Sequence, residues 1–345
     1  MMINRRQLMQ FSSLAAGAGL VGGFTPLAAR AAVRMTGVTY LPQSYKALSF
    51  GSNGFVEHLK KNAAGAIQTD FFDSGKLLKA DDQLPALRSG NIDFMFHTTS
   101  YVTRSLPILG ILGLPGVVED LYKNPKRLAM GSPLFNLINE GLAKEDLVML
   151  SVGGGILEPE YLWAGKSAKI ESVDDVKGKR VRVVGFEATG VVERFGGATV
   201  NVPSSELYLA LQRKTVDAAI ANISTIIGRS LQEQVGSCYK LPTTAYGIGI
   251  FVKKSRWDKL PADVRTGMQA AAKWFDAESA REANAKIYPN EFWPKVKAAG
   301  VQVVDASPAD LAKLDKAGAL VRAHWVGEVG EAVGNKAIAL ALGKA

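Results

Sequence analysis

The sequence predicts an α/β protein built as two lobes of similar construction. Three observations carry this. Strand signals of period 2 alternate with helical signals of period 3.6 along most of the chain, the pattern of sheets covered by crossover helices. A helix–turn–strand element occurs twice, as Ala86-Leu87 with Asp93 and as Ala210-Leu211 with Asp217. One long helix, opened by Pro261, is long enough to cross both lobes. Composition allows such a fold. The chain has 345 residues, 47% of them hydrophobic and 21% charged, so it can bury a large core without covalent help.

Taken in order, Met35–Leu41 reads as a strand and Tyr45–Asn62 as a helix with Leu48, Phe55 and Leu59 on one face. Ile67–Phe72 is a strand, Asp81–Arg88 a helix, and Asn91–Phe96 a strand with Ile92, Phe94 and Phe96 in alternation. These connections imply largely parallel sheets. The second unit begins near Ile170. A turn at Val173–Gly178 leads to a strand at Arg180–Val184. A helix at Glu187–Phe195 ends at Gly196-Gly197, and Thr199–Val202 is a strand. Pro203-Ser204-Ser205-Glu206 opens a helix with hydroxyl caps and an early acid, running to about Lys214. Val216–Ala221 is the next strand. Tyr246–Val252 is a strand. The helix opened by Pro261 carries Val264, Met268, Ala272 and Phe275 inward and stops near Pro289. Its roughly 26 residues at 1.5 Å each span on the order of 40 Å. Val301–Val304 is one more strand, followed by helices. No low-complexity linker divides the chain, so the lobes exchange it more than once. Lobe I comprises 32–156 with about 246–285, and lobe II 157–245 with about 286–345.

The first 31 residues read as an address. Arg5 and Arg6 precede a short Ala/Gly-rich apolar run from Phe11 to Phe24, and Ala29-Arg30-Ala31 is a small-x-small cleavage site. The arginine pair resembles a twin-arginine signal. The expected mature chain starts at Ala32 and is soluble in the periplasm. Removing Arg5, Arg6 and Arg30 lowers the net charge of +9 to +6. Gly17, Gly19 and Gly22 match a dinucleotide fingerprint, but no strand precedes them, so the match is accidental.

Several function classes fall away. The single cysteine, Cys238, excludes an internal disulfide and CxxC metal sites. His58, His97 and His324 lie far apart and fit no metal-ligand spacing, so no metal and no cofactor is expected. No basic run exceeds two adjacent residues, which argues against nucleic acid. There is no GxSxG elbow and no paired His and Cys, so no motif of nucleophilic catalysis marks the chain as an enzyme.

Arg182 sits in a basic cluster with Lys177, Lys179 and Arg180, which taken alone reads as a solvated sheet edge. Two stretches change its meaning. Asp175–Val184 carries a Val-Lys-Gly turn and a strand with Arg182. Val202–Asp217 carries Glu206, Tyr208, Ala210, Leu211 and Gln212, then Val216-Asp217. Together they resemble the DctP-like solute-binding subunits of tripartite ATP-independent periplasmic (TRAP) transporters. Ser74–Leu77, Leu87–Asp93 and Trp257–Pro261 extend the likeness over essentially the whole mature chain. The resemblance implies a two-lobed periplasmic binding protein of type II-like fold, with a cleft between the lobes and a long helix spanning both. It would close on a small organic acid and deliver it to membrane permease subunits. It also implies that Arg182 makes the ligand's carboxylate salt bridge, since a guanidinium pairs with a carboxylate through two hydrogen bonds.

Asn222 falls about where the family offers a polar side chain, and Glu206 is expected to buffer Arg182 or cap its helix. The family's second arginine, ahead of the turn, is absent: Glu158–Trp163 holds two acids instead. A monocarboxylate, or a zwitterion whose amine meets Glu158 or Glu160, is therefore favoured over a dicarboxylate. Tyr101, Trp163, Phe186 and Tyr246 are the aromatics available to the cleft, and Gln43 and Tyr45 follow the first strand, where ligand loops sit. An exported enzyme on the same fold, or a ligand sensor for a receptor, stands as the alternative.

Overall fold

The computed structural model describes residues 31–344. The export signal read at residues 1–31 lies, but for Ala31, outside them. The described chain contains two sheets. The first has the order β2-β1-β3-β10-β4, formed by β1 (Val33–Thr39), β2 (Ile67–Phe72), β3 (Phe94–Thr98), β4 (Leu147–Ser151) and β10 (Ile248–Lys253). The second has the order β11-β9-β5-β8-β6-β7. It is formed by β5 (Glu160–Gly165), β6 (Arg180–Val183), β7 (Ala198–Asn201), β8 (Ala218–Ala221), β9 (Val235–Thr244) and β11 (Gln302–Asp305). The chain passes between the sheets from β4 to β5, back from β9 to β10, and again before β11.

The sheets are mixed, not largely parallel. β1, β2 and β3 are parallel, as are β6, β7 and β8, because helices carry the chain back across the sheet. β10 runs antiparallel to β3 and β4, and β5 antiparallel to β8 and β9. The exchange strands impose this, since each enters its sheet from the other one.

The repeated element has a structural cause. The Asp93 carboxylate accepts the N–H of Thr36 on β1 at 2.7 Å, while the Asp93 N–H returns to the Thr36 carbonyl at 2.8 Å. Asp217 does the same with Arg180 on β6, at 2.8 Å in both directions. Each aspartate locks the start of its strand to the neighbour, and each meets an arginine, Arg256 or Arg180. This is also why β3 starts at Phe94: the turn consumes Asn91–Asp93. Helix Ala80–Ser89 ends because Gly90 takes φ +81°, where a side chain would strain the backbone.

Period-2 alternation divides the core into two clusters, each touching both sheets. Phe94 and Phe96 face Phe55, Phe71 and Phe275 on one side, and Met95 faces the other. Trp163 and Tyr161 share the first cluster's side in the second sheet and pack on Trp293. The long helix supplies both partners. It runs from Ala262 to Glu282, and Phe275 meets Phe96 under the first sheet. It does not stop at Pro289. A wide π-helical stretch, Ala283–Phe292, accommodates the proline's missing N–H, and Trp293–Ala298 continues beneath the second sheet. No helix among the described residues is long and apolar enough to cross a membrane.

Candidate functional site

The carboxyl ends of the parallel strands of both sheets converge, the place where open α/β sheets bind ligands. Arg182 stands on β6, between Val181 and Val183, which point into the core. Its cross-sheet neighbours are Ala219 on β8 and Val200 on β7, and Ala219 leaves its face of the sheet open to the long side chain. Arg182 is 2% exposed, so the solvated-edge reading does not apply. Its Nε donates to the Val202 carbonyl at 2.8 Å, Nη1 to the Ile220 carbonyl at 3.1 Å, and Nη2 to the Tyr101 hydroxyl at 3.3 Å. A guanidinium has five N–H donors, so these bonds fix its plane and leave two unspent. Tyr101 comes from the segment after β3, in the other sheet. Its hydroxyl oxygen accepts from both Arg182 and the Ser204 N–H (2.8 Å), which leaves its proton free to donate.

Two acids lie in the same interior. Burial pushes the Glu160 carboxyl up to about 7, against the pull of Arg182 and of an N–H from Asn222. Burial likewise pushes Glu187 up to about 8, with Glu160 adding to the rise. Its own amide, Thr103 and Arg104 pull the other way, and its Oε1 has no hydrogen-bond partner. Glu187 was invisible in the sequence, where it reads as an ordinary first-turn acid. Tyr246 joins β9 to β10 and is 4% exposed. Burial raises its phenol, with Tyr288, Glu160, Tyr40 and Tyr45 nearby.

Other expected residues are committed elsewhere. Asn222 accepts the Ser224 N–H as the cap of helix Ile223–Gly228, and its amide donates to the Glu158 carbonyl at 2.6 Å. Its backbone N–H, not its side chain, faces Glu160. Trp163 is fully buried in the core, with its indole N–H on the Ala221 carbonyl and its ring stacked on Trp293. Phe186 is half-buried and packs toward Gly110 and Trp325. Gln43 is exposed and bonded to Asn53 and Asp73. Glu158 is held by Trp293 and Tyr161, and Glu206 is exposed instead of buffering Arg182. Helix Leu207–Gln212 starts without a side-chain cap, because Ser204 turns inward.

Tyr40 and Arg229 also stand here, unmarked by any sequence signal, and Ser204 was expected only as a helix cap. The Tyr40 ring lies 5.1 Å from Tyr101, and its hydroxyl pairs with Thr98 at 2.8 Å. A cavity of about 370 Å³ opens beside them, lined by Tyr40, Ser204 and Arg229. A larger groove of about 640 Å³ runs along Gly153, Gly154 and Asp276, away from Arg182.

The model of the bacterial extracellular solute-binding protein family 7, DctP, matches residues 42–325. The chain belongs to that family. A solute-binding protein of Albidiferax ferrireducens is 26% identical over 274 residues, 75% of each chain. The C4-dicarboxylate-binding periplasmic protein DctP of Rhodobacter capsulatus is 25% identical over 239 residues, 68% of each. A TRAP solute-binding protein from a marine metagenome, solved with co-purified pyroglutamate, superposes with a TM-score of 0.77. It is 22% identical, over 91% of this chain and 99% of that one. One from Rhodoferax ferrireducens with bound malonate gives 0.75 at 22% identity, over 90% and 98%. These structures have the same two-lobed α/β fold, and the DctP homologues are binding proteins.

Proposed function

We propose that the chain is the periplasmic solute-binding subunit of a TRAP transporter, capturing a small organic carboxylate on Arg182 and delivering it to membrane permease subunits without turning it over. The observation that supports this best is the buried Arg182 guanidinium, oriented by two backbone carbonyls with N–H donors unspent. In a cleft of low dielectric such a fork binds a carboxylate far better than a surface arginine would. Tyr101 donates its free proton beside it, and the buried Glu160 is within electrostatic reach of both Arg182 and Tyr246. Lobe I is 32–156 with about 246–285, and lobe II is 157–245 with about 286–345. They hinge at the three chain crossings, and closure is of the hinge kind.

Neighbouring structures hold pyroglutamate, malonate, succinate and glucuronate, so these acids make the first panel. Isothermal titration of the protein against them should find at least one binder, and Arg182→Ala should weaken it about 100-fold or more. A broad organic-acid panel without a binder, or an Arg182→Ala variant that binds normally, would refute the proposal.

A further inference from the structure

His97 stands on β3 and is fully buried. Its two ring nitrogens face two carbonyl oxygens. Nδ1 lies 3.0 Å from that of Thr98, and Nε2 lies 3.0 Å from that of Ala80, the first residue of helix Ala80–Ser89. A carbonyl oxygen can only accept, and a neutral imidazole has one N–H and one bare lone pair. Whichever tautomer the neutral ring takes, one of the two contacts sets lone pair against lone pair. The imidazolium, with an N–H on each nitrogen, satisfies both. Burial opposes it and lowers the proton affinity of the ring, against the pull of the two carbonyls and of Asp81. The ring thus lacks one proton for an acceptor already in place. Its other neighbours are few. The Tyr40 ring, directly after β1, lies 4.9 Å away, and the Tyr101 ring lies 5.6 Å away. Lys79 and Asp81, at the start of the helix, are both exposed, and β10 sets the uncharged Gly249 opposite His97.

Only Tyr101 separates this ring from the binding cation, since its hydroxyl accepts from Arg182 at 3.3 Å. We propose that His97 takes up a proton when an anion binds Arg182, and so acts as a positioning residue: as an imidazolium it clamps the start of helix Ala80–Ser89 to β3 behind Tyr40 and Tyr101. The inference rests on the Arg182 reading above. In the empty cleft the Arg182 guanidinium repels a second cation nearby. A bound carboxylate offsets that repulsion, and the proton affinity of His97 rises. Coupling of this kind is reciprocal, so the proton on His97 strengthens ligand binding by the same factor.

Proton uptake and the ring nitrogens test it. The probe is whichever of pyroglutamate, malonate, succinate and glucuronate binds tightest. Nitrogen-15 NMR of the wild-type protein at pH 6 should show the two His97 nitrogens far apart without the acid, as in a neutral ring. They should draw together in the complex, as in an imidazolium. A ring that is neutral in both states, or charged in both, overturns the proposal, and this measurement needs no variant. Calorimetric titration at pH 6 in two buffers of different ionisation enthalpy should show about 0.3 protons or more taken up per ligand. His97→Gln, which keeps an N–H for the Ala80 carbonyl, should remove that uptake, and Glu160→Gln should leave most of it. Uptake that survives His97→Gln, or that disappears with Glu160→Gln, also overturns the proposal. If no organic acid binds, the Arg182 reading falls and this inference with it. If an acid binds, Arg182→Ala abolishes that binding and the His97 nitrogens do not move, only this inference falls.

Discussion

Glu187→Gln should make the protein markedly less sensitive to alkaline pH. The folded chain holds the Glu187 proton more tightly than the unfolded chain does, because burial raises the carboxyl from 4.5 to about 8. The stability linked to this proton is therefore full below pH 4.5 and is lost as pH rises to about 8. At 1.36 kcal/mol per pH unit, the loss is at most about 5 kcal/mol, a large part of a typical folding free energy. Glutamine keeps the shape and cannot ionise, and its carbonyl can still accept from Thr103. Urea unfolding at pH 5 and pH 9 on wild type and variant isolates the residue, because other groups, including the buried neutral His97, titrate in both. The variant should lose about 2–5 kcal/mol less than wild type between the two pH values. Equal losses would show that Glu187 is not held as a buried neutral acid.

Ligand affinity should fall about 10-fold as pH rises through 7, as the Glu160 carboxyl, held up to about 7, ionises beside the bound anion. Glu160→Gln should flatten that profile in titration calorimetry, and an unchanged slope would point to another group. Asn222→Ala should cost about 2–3 kcal/mol in chemical unfolding, through the lost helix cap and the stranded Glu158 carbonyl. Gly154→Ala should cost about 3 kcal/mol or more, since φ is +76° and the new Cβ would clash with the Asp276 carbonyl oxygen. Gly178→Ala, at φ +74° with open space around it, should cost about 1 kcal/mol, and thermal melts of the two variants would separate the clash from the backbone strain.

The fold was legible where one chemical signal repeats. Ile67–Phe72, Arg180–Val183 and the helix ending at Gly90 follow from alternation and from a glycine stop, signals that local physics enforces. β4, β5 and β9 were missed because they are buried on both faces. Leu147–Ser151 and Glu160–Gly165 lack the alternation that marks a strand. Pro289 misled for a different reason. A proline ends a helix only when the lost hydrogen bond cannot be spread over a wider turn, and packing under Trp163 keeps this one helical. Arg182 was singled out from its motif, and the structure buries it with Tyr101 on its guanidinium. Arg229, Tyr40 and Glu187 carry no local mark, because their surroundings come from distant strands. Trp163 shows the converse, since its strand face sends it into the core, while Phe186 opens helix Phe186–Arg194 and stays half-buried.

Arg182 is held by two backbone carbonyls on its own sheet, whereas Tyr40, Tyr45 and Tyr101 come from the first sheet's loops. The plane of the Arg182 guanidinium is thus set by main-chain carbonyls, which remain when the side chains around it are replaced. Of these tyrosines, Tyr40 and Tyr45 are packed into the core, while Tyr101 is half-buried and faces Arg182. Such a division lets a lineage change what it captures by replacing a few loop residues while the charged anchor, and the fold that holds it, stay as they are. Under the proposed function, the same division offers a practical route to a reprogrammed sensor: keep the second sheet, and vary the half-buried Tyr101 that faces Arg182.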